Sequence, residues 1–243
     1  QSYPVWAQPA DIYMSECLGT NAAYYGVLKV MEDMATVLGK KKDVKKYGQK
    51  AEALKKAIND NFWVEEDGYY ASYLYGRQNL TLTQQSETLG ESFCVLFGIA
   101  DEERAAKVIS SMPVGEFGPP IFSPQIVSQP DYHNNGVWPY VTSFWGKAAA
   151  KVGNETALMH ALACNVRTAS IYATNYENYS FNTGNPYTTQ INSPNMLWGL
   201  SGFMGLFHRT FFGLEFTKEG LALKPFVPTV LAGTRKLEAF PYR

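Results

Sequence analysis

DYHNNGVWPYVTSFW, Asp131 to Trp145, opens with a His and two Asn, turns at Gly136, passes a Trp-Pro step at Trp138 and Pro139, and becomes an apolar helix. An ordinary loop has no need of His133, Asn134, Trp138, Tyr140 and Trp145 within so few residues. Sugar pockets do, because they set flat rings against C–H faces and amide or imidazole groups against hydroxyls. The plainer alternative makes the aromatics core and the Asn residues turn-formers. The stretch alone leans slightly to that alternative, so its surroundings decide.

Outward from it, the chain alternates helical hairpins with long polar connections. Downstream, Val141 to Val152 is one helix, and Asn154 caps another that runs to about Ala173. Met196 to His208 is apolar nearly all round, which predicts full burial. Upstream, Thr20 can cap a helix to Leu38, with Ala23, Val27, Val30, Met31, Met34, Val37 and Leu38 as its buried stripe and Gly39 as its stop. Asp43 caps a second helix carrying Val44, Tyr47, Ala51, Leu54, Ile58 and Phe62. Phe62 to Tyr75 reads as a short β-excursion around Asp67-Gly68. A third helix starts near Gln84 or Ser86, and a short fourth runs from Asp101 to about Ser110. About seven helices follow from periodicity. Phe211 to Arg243 changes character, with β-like runs that stop before a sheet is complete.

Met112 to Pro130 and Tyr176 to Asn195 are long connections, and loops of that length in a domain are usually functional or disordered. In a ring of antiparallel hairpins every second connection lands on one rim. That gathers Trp6–Asn21, Tyr69–Gln84, Gly115–Trp138 and Tyr176–Asn195, where the Trp, Tyr, Asn, His and carboxylates concentrate.

Composition narrows the chemistry. With 21 basic and 22 acidic residues, the chain shows no excess that would favour nucleic acid or an anionic membrane. Lys40 to Lys46 is basic but reads as a solvated helix start. No segment is apolar for long enough to span a bilayer. Cys17, Cys94 and Cys164 lack metal-ligand spacing and suit a core rather than a disulfide framework. No phosphate loop, dinucleotide fingerprint or Ser-His-Asp arrangement occurs, so neither cofactor nor metal is expected. Glu87 and Glu91, four apart on a helix, form a possible metal or acid pair, but such pairs are usually surface or capping features. Trp63, Trp145 and Trp198 fall in helical patterns and are assigned to the core. The opening QSYPVW lacks a Met and a signal peptide, which predicts a processed or excised part of something longer.

Three tracts together resemble the (α/α)6-barrel, six-hairpin glycoside hydrolases: the trehalase, processing α-glucosidase, mannosylglycerate hydrolase and glycogen-debranching-like group. They are LGKKKDVKKYGQKAEALKKAINDNFWVEEDGYY (Leu38–Tyr70), YHNNGVWPY (Tyr132–Tyr140) and YENYSFNTG (Tyr176–Gly184). The resemblance spans most of Thr20 to Phe212. It implies a mainly α toroid, incomplete here, with residues 1–210 as part of the catalytic barrel and 211–243 as the start of a C-terminal β-region. The rest of both would lie on the same polypeptide or on a separate chain.

The resemblance also implies an inverting, exo-acting glycosidase for α-linked gluco- or manno-configured oligosaccharides, with a carbohydrate substrate and Glu177 as general base. Independently, a lone carboxylate among Tyr172, Tyr176, Tyr179 and Phe181 sits where partial desolvation raises its basicity. The general acid in the resembling enzymes is usually an Asp in a Trp-Asp tract, upstream of the hairpin whose Asn matches Asn21. No Trp-Asp occurs here, so the acid is Asp11, next Glu16, or a residue before Gln1. Trp6, Trp138 and Tyr179 are candidate stacking platforms; Gln8, Asn21, His133, Asn134 and Gln190 are candidate hydroxyl contacts. The alternatives are a non-catalytic carbohydrate-binding toroid, or a sugar epimerase or isomerase working through His133. A periplasmic or secreted setting is expected if external glycans are degraded.

Overall fold

The computed structural model of the chain describes residues 13–76, 80–217 and 219–240. Trp6, Gln8 and Asp11 lie outside them. Among the described residues are seven α-helices and a set of very short strands.

The helices pair across tight links. After strand β1 (Ser15–Cys17), α1 (Leu18–Val37) and α2 (Lys41–Asn61) form the first hairpin. Its turn is made by Gly39 at φ 65°, a left-handed conformation in which a side chain would be strained. Helices α3 (Thr88–Leu96) and α4 (Glu102–Ser111) form the second. Asp101 caps α4 by accepting from the Arg104 N–H at 2.8 Å. The third joins α5 (Pro139–Lys151) to α6 (Glu155–Tyr172). Asn154 caps α6, as expected, accepting from the Ala157 N–H at 2.9 Å. A last helix, α7 (Leu197–Leu206), runs on into a wide π turn, Phe207–Phe211.

Packing orders these pairs into an arc. Helix α1 packs on α3, α3 on α5 and α5 on α7, while α2, α4 and α6 back their hairpin partners. Trp145, Leu158, Leu206, Ile58 and Leu18 are buried at the centre. Small residues set the spacing there. A Cβ on Gly146 would lie 2.9 Å from the Ala161 methyl and one on Gly202 3.2 Å from Ser143, so α5 meets α6 and α7 with backbones close together.

Two helical expectations need correction. Helix α7 is not buried all round: Gly199, Gly202 and Leu206 face α5, while Leu197 is 77% exposed and Leu200 and Met204 are also open. On α1 the helical period holds but the buried face is Leu18, Ala22, Tyr25, Leu28 and Ala35. The expected stripe, including Val27, Val30, Met34, Val37 and Leu38, is largely exposed. Both helices are apolar on two faces, and periodicity does not say which face finds a neighbour. They stand at the two ends of the arc. Thr20 and Asp43 are also inside their helices rather than capping them.

The long connections are stitched by ladders of two to four residues. The Asp67-Gly68 excursion is a hairpin of β2 (Trp63–Val64) and β3 (Tyr69–Tyr70). Strand β4 (Tyr73–Tyr75) lies between β1 and β5 (Thr81–Leu82). Strand β6 (Ser86–Glu87) pairs with β7 (Phe122–Ser123), and β8 (Gly136–Val137) with β9 (Tyr179–Ser180). Single backbone bonds link these pieces. The Leu18 N–H donates to Ser72 O at 2.9 Å, Ile121 N–H to Gly136 O at 2.8 Å and Phe181 N–H to Asn135 O at 2.7 Å. The connections therefore share one rim, at the N-terminal ends of α1, α3, α5 and α7. At the chain's end, β10 (Leu214–Thr217) and β11 (Gly220–Leu223) form a hairpin without further strands among the described residues. Cys17, Cys94 and Cys164 are buried free thiols.

Candidate active site

The polar turn at Asp131 is a frame before it is anything else. The Asp131 carboxylate accepts from the Asn135 amide at 2.8 Å and the Ser180 hydroxyl at 2.6 Å, and its carbonyl accepts from the Gln190 N–H at 2.8 Å. Asn134 is spent on backbone: it accepts from the Ile126 N–H at 2.7 Å and donates to Ile126 O and Gln129 O. The chain then folds so tightly that a Cβ on Gly136 would sit 1.9 Å from Tyr132 O, so only glycine fits. The Trp138 indole donates to that same carbonyl at 3.3 Å, fixing its ring.

The second tract is framed in the same way. The Asn178 amide donates to Ile191 O at 3.0 Å, and Asn192 returns a bond to Asn178 O at 2.8 Å. The Tyr179 hydroxyl accepts from the Tyr176 N–H at 3.1 Å. Between them the Glu177 N–H donates to Ser193 O at 2.9 Å. The β8–β9 ladder then sets Val137 against Tyr179 and brings the tracts together, although they are distant in sequence.

Where they meet, a cavity of about 180 Å³ opens, lined by Glu177, Tyr132, His133, Trp138, Tyr140 and Trp198 on its aromatic side. Glu87, Leu89, Ile121, Phe122 and Val141 complete the wall. Tyr140 stacks on Trp198 with ring centres 5.4 Å apart, and Trp198 meets Trp138 edge-on at 5.5 Å. His133 stacks on Trp138 at 5.7 Å. The wall thus offers apolar ring surface with a few polar tips, the composition of a ligand cavity.

Its electrostatics follow from partial burial. Desolvation pushes the Glu177 carboxyl above its usual range, and the Tyr132 hydroxyl, which donates to it, pulls the other way by stabilising the charged form. The result is a carboxylate more basic than an exposed one. His133 is 6% exposed, and burial pushes its pKa down to about 4, so it is neutral at neutral pH. Among the described residues no group of three or more His, Cys, Asp or Glu could hold a metal ion.

Of the residues singled out in the sequence, Glu177, His133 and Trp138 come together at the cavity. Tyr179 does not serve as a platform there: it is a fully buried ladder residue whose ring packs against Tyr172 and, edge-on, Tyr176. Asn134 is occupied as described. Asn21 donates to Cys17 O at 2.9 Å in the first turn of α1, and Gln190 is exposed; neither lines the cavity. Trp145 and Trp63 pack with the core, but Trp198, also assigned to it, is 36% exposed at the cavity. Glu87 and Glu91 are buried rather than superficial, and both bond to backbone. Glu87 caps α3 by accepting from Gly90 N–H at 2.7 Å, and Glu91 accepts from Tyr70 N–H at 2.9 Å. Tyr132 was not singled out in the sequence, Tyr140 only as part of the opening stretch, and Glu87 only as half of a possible metal or acid pair with Glu91; these three line the cavity and Glu91 does not. A signal existed: Leu89, Tyr140 and Trp198 are each the second residue of α3, α5 and α7, the same helical position on the same rim.

Residues 6–199 match the model of a family described as mannosylglycerate hydrolase MGH1-like glycoside hydrolase domain. No curated protein matches the chain in sequence. Among solved structures it is similar to one named sialidase (TM-score 0.71, 15% identity, 88% of this chain and 21% of that one). It is also similar to one named glycosidase wild type (0.64, 14%, 85% and 54%). A third is an uncharacterized conserved protein from Thermus thermophilus (0.63, 14%, 80% and 46%). At such identities the likeness carries the fold alone. The chain spans between 21% and 54% of the length of these structures.

Proposed function

The chain belongs to the mannosylglycerate hydrolase MGH1-like glycoside hydrolase family, and on that premise we propose that its aromatic cavity hydrolyses a glycosidic bond with Glu177 as general base. The observation that carries this is the half-buried Glu177 carboxylate, hydrogen-bonded by Tyr132, in a cavity walled by Trp138, Tyr140 and Trp198. Glu177 takes a proton from a water molecule as the water oxygen bonds to the anomeric carbon. The bond to the leaving oxygen breaks on the other face, and a second carboxyl group supplies that oxygen with a proton, so configuration inverts. The acid would stand roughly 6.5–9.5 Å from the base to leave room for the water. Asp11, or a residue on a segment beyond this chain, is assigned that role. Tyr132 orients the base, and the rings of Trp138 and Trp198 take the sugar's C–H faces.

The substrate is assigned as an α-linked gluco- or manno-configured oligosaccharide attacked from its end, in keeping with the family description. The exposed apolar faces of α1 and α7 support a further element of this reading: helices from another segment or another chain close the ring across them.

The test is sugar release from a panel of aryl glycosides and oligosaccharides, by the chain alone and in the longest protein that contains it. Glu177→Gln should abolish turnover while retaining sugar affinity; full activity in that variant removes the assignment. A second reading, sugar binding without catalysis, draws on the absence of any Asp from the cavity wall among the described residues. It predicts calorimetric affinity and no turnover in either form. Proton transfer by His133, as an isomerase would need, is disfavoured by a pKa of about 4. Mass-neutral conversion of a free sugar would reinstate it.

A further inference from the structure

The end of the bundle away from the sugar cavity holds a second cavity, of about 390 Å³, that the hydrolytic reading does not use. It lies where α3 and α5 end, beside the π turn that follows α7 and the β10–β11 hairpin. Its wall is cationic: among the described residues, Lys147, Lys151, Arg209 and Lys224 stand against a single carboxylate, Glu215.

Two of these charges are accounted for. Lys224 pairs with Glu215 at 2.8 Å. Lys151 donates to Val95 O at 2.9 Å and Leu96 O at 2.8 Å, carbonyls that the end of α3 leaves open. The other two are not. The Lys147 ammonium makes no hydrogen bond or ion pair among the described residues, and its contact is the face of the Phe144 ring at 4.7 Å. Arg209 spends one N–H on Leu214 O at 3.0 Å and lies over the Phe216 ring at 4.8 Å, which leaves most of its donors uncommitted. No carboxylate pairs with either among the described residues.

The fold holds these two like charges close together at a cost. Burial, and after it the charge of Arg209, push the Lys147 pKa down. The ammonium is nevertheless not sealed in the core, and the cavity is the space it lines. Gly205 on α7 makes room for it, since a Cβ there would lie 3.0 Å from the Lys147 Nζ. An apolar side chain at 147 would fill the same space without the desolvation or the repulsion. Arg209 stands in a π turn, a departure from the α-helix that recurs at functional sites.

We propose that this cavity is an oxyanion site, in which Lys147 and Arg209 together bind phosphate, free or as the phosphate group of a small molecule. The guanidinium fork matches two oxygens, and the ammonium adds a point charge. A doubly charged anion between them turns mutual repulsion into attraction to a shared partner. The site lies at the other ends of the helices that frame the sugar cavity, so it does not depend on how that cavity is read.

The experiment is calorimetry and thermal melting of the whole chain with inorganic phosphate, glycerol phosphate and glycerol, at an ionic strength fixed with chloride. Wild type should bind both phosphates and melt higher, saturably, with either; glycerol should do neither. Lys147→Met and Arg209→Gln should each weaken binding about tenfold or more. Lys45→Met, which removes an exposed charge from α2, should leave it unchanged. Without phosphate, Lys147→Met should melt no lower than wild type, because the charge it removes is unpaired; that separates binding from a structural role. Should Lys147→Met fail to fold, Arg209→Gln, at an exposed position, carries the same test. No binding by wild type overturns the proposal, as do equal affinities in wild type, Lys147→Met and Arg209→Gln, or an equal loss in Lys45→Met. The longest protein that contains the chain is titrated in parallel. Phosphate bound by the chain but not by that protein means a carboxylate of its own meets the two cations, and this too overturns the site. Tighter binding of glycerol phosphate supports a phosphorylated small molecule as the occupant, and tighter binding of inorganic phosphate supports the free ion.

Discussion

Replacing Gly136 with Ala tests whether the turn that builds the site is as tight as its contacts indicate. The added methyl would lie 1.9 Å from Tyr132 O and 3.0 Å from Tyr132 C, both backbone atoms that cannot swing aside. Relief requires the turn to open. The same residue pairs with Ser180 across β8–β9 and accepts the Ile121 N–H at 2.8 Å, while Tyr132 O holds the Trp138 indole. Overpacking costs about 1–3 kcal/mol, and each backbone bond displaced adds about 1 kcal/mol. The expected loss is about 3–4 kcal/mol, a large share of the roughly 5–15 kcal/mol available to a domain. Gly153→Ala is the control: its φ is 76° but nothing lies within 4 Å of the place its methyl would take, so only the strain of about 1 kcal/mol is expected. Urea denaturation followed by tryptophan fluorescence measures both. A Gly136→Ala protein within about 0.5 kcal/mol of wild type, or less affected than Gly153→Ala, would refute the reasoning.

Tyr132→Phe removes the donor that lowers the Glu177 pKa, leaving desolvation to raise it further. The acid limb of the rate profile should move to higher pH; a move to lower pH, or none, contradicts the pairing. His133 has a folded pKa of about 4, below its unfolded value near 6.5. The unfolded chain therefore binds the proton more tightly, and the stability that neutral His133 contributes is lost as pH falls from about 6.5 towards 4. Denaturation curves at pH 7 and pH 4.5 should show a loss on the order of 2 kcal/mol that largely vanishes in His133→Gln. A pH dependence identical in that variant would place the titration elsewhere.

Much of the helical architecture was legible because hairpins announce themselves through period and glycine stops: Asn154 and Gly39 act where the sequence puts them, although Thr20 and Asp43 do not cap their helices. What stayed hidden is the direction each helix faces. Val30 and Met34 obey the helical period as well as Ala22 and Tyr25 do, and only the identity of the neighbours decides which pair is covered. At the site, the two polar tracts could be assigned to one rim from topology. Which of their side chains reach the cavity could not, because Asn134 and Asn178 are as polar as hydroxyl contacts would be yet serve backbone. Tyr179 shows the same ambiguity among aromatics, since a ring that stacks on a ligand and one that packs against other tyrosines carry the same letter.

The rim is built from ladders only a few residues long, each too short to persist on its own. Ser86–Ser123, Ile121–Gly136, Gly136–Ser180 and Asn135–Phe181 nevertheless follow one another through shared or adjacent residues. Such a clasp has no independent links: releasing any one of them loosens those beside it. The amide protons of Ile121 and Phe181, which donate to Gly136 O and Asn135 O, should therefore exchange with solvent as a pair, and a ligand gripping Trp138 would slow both together.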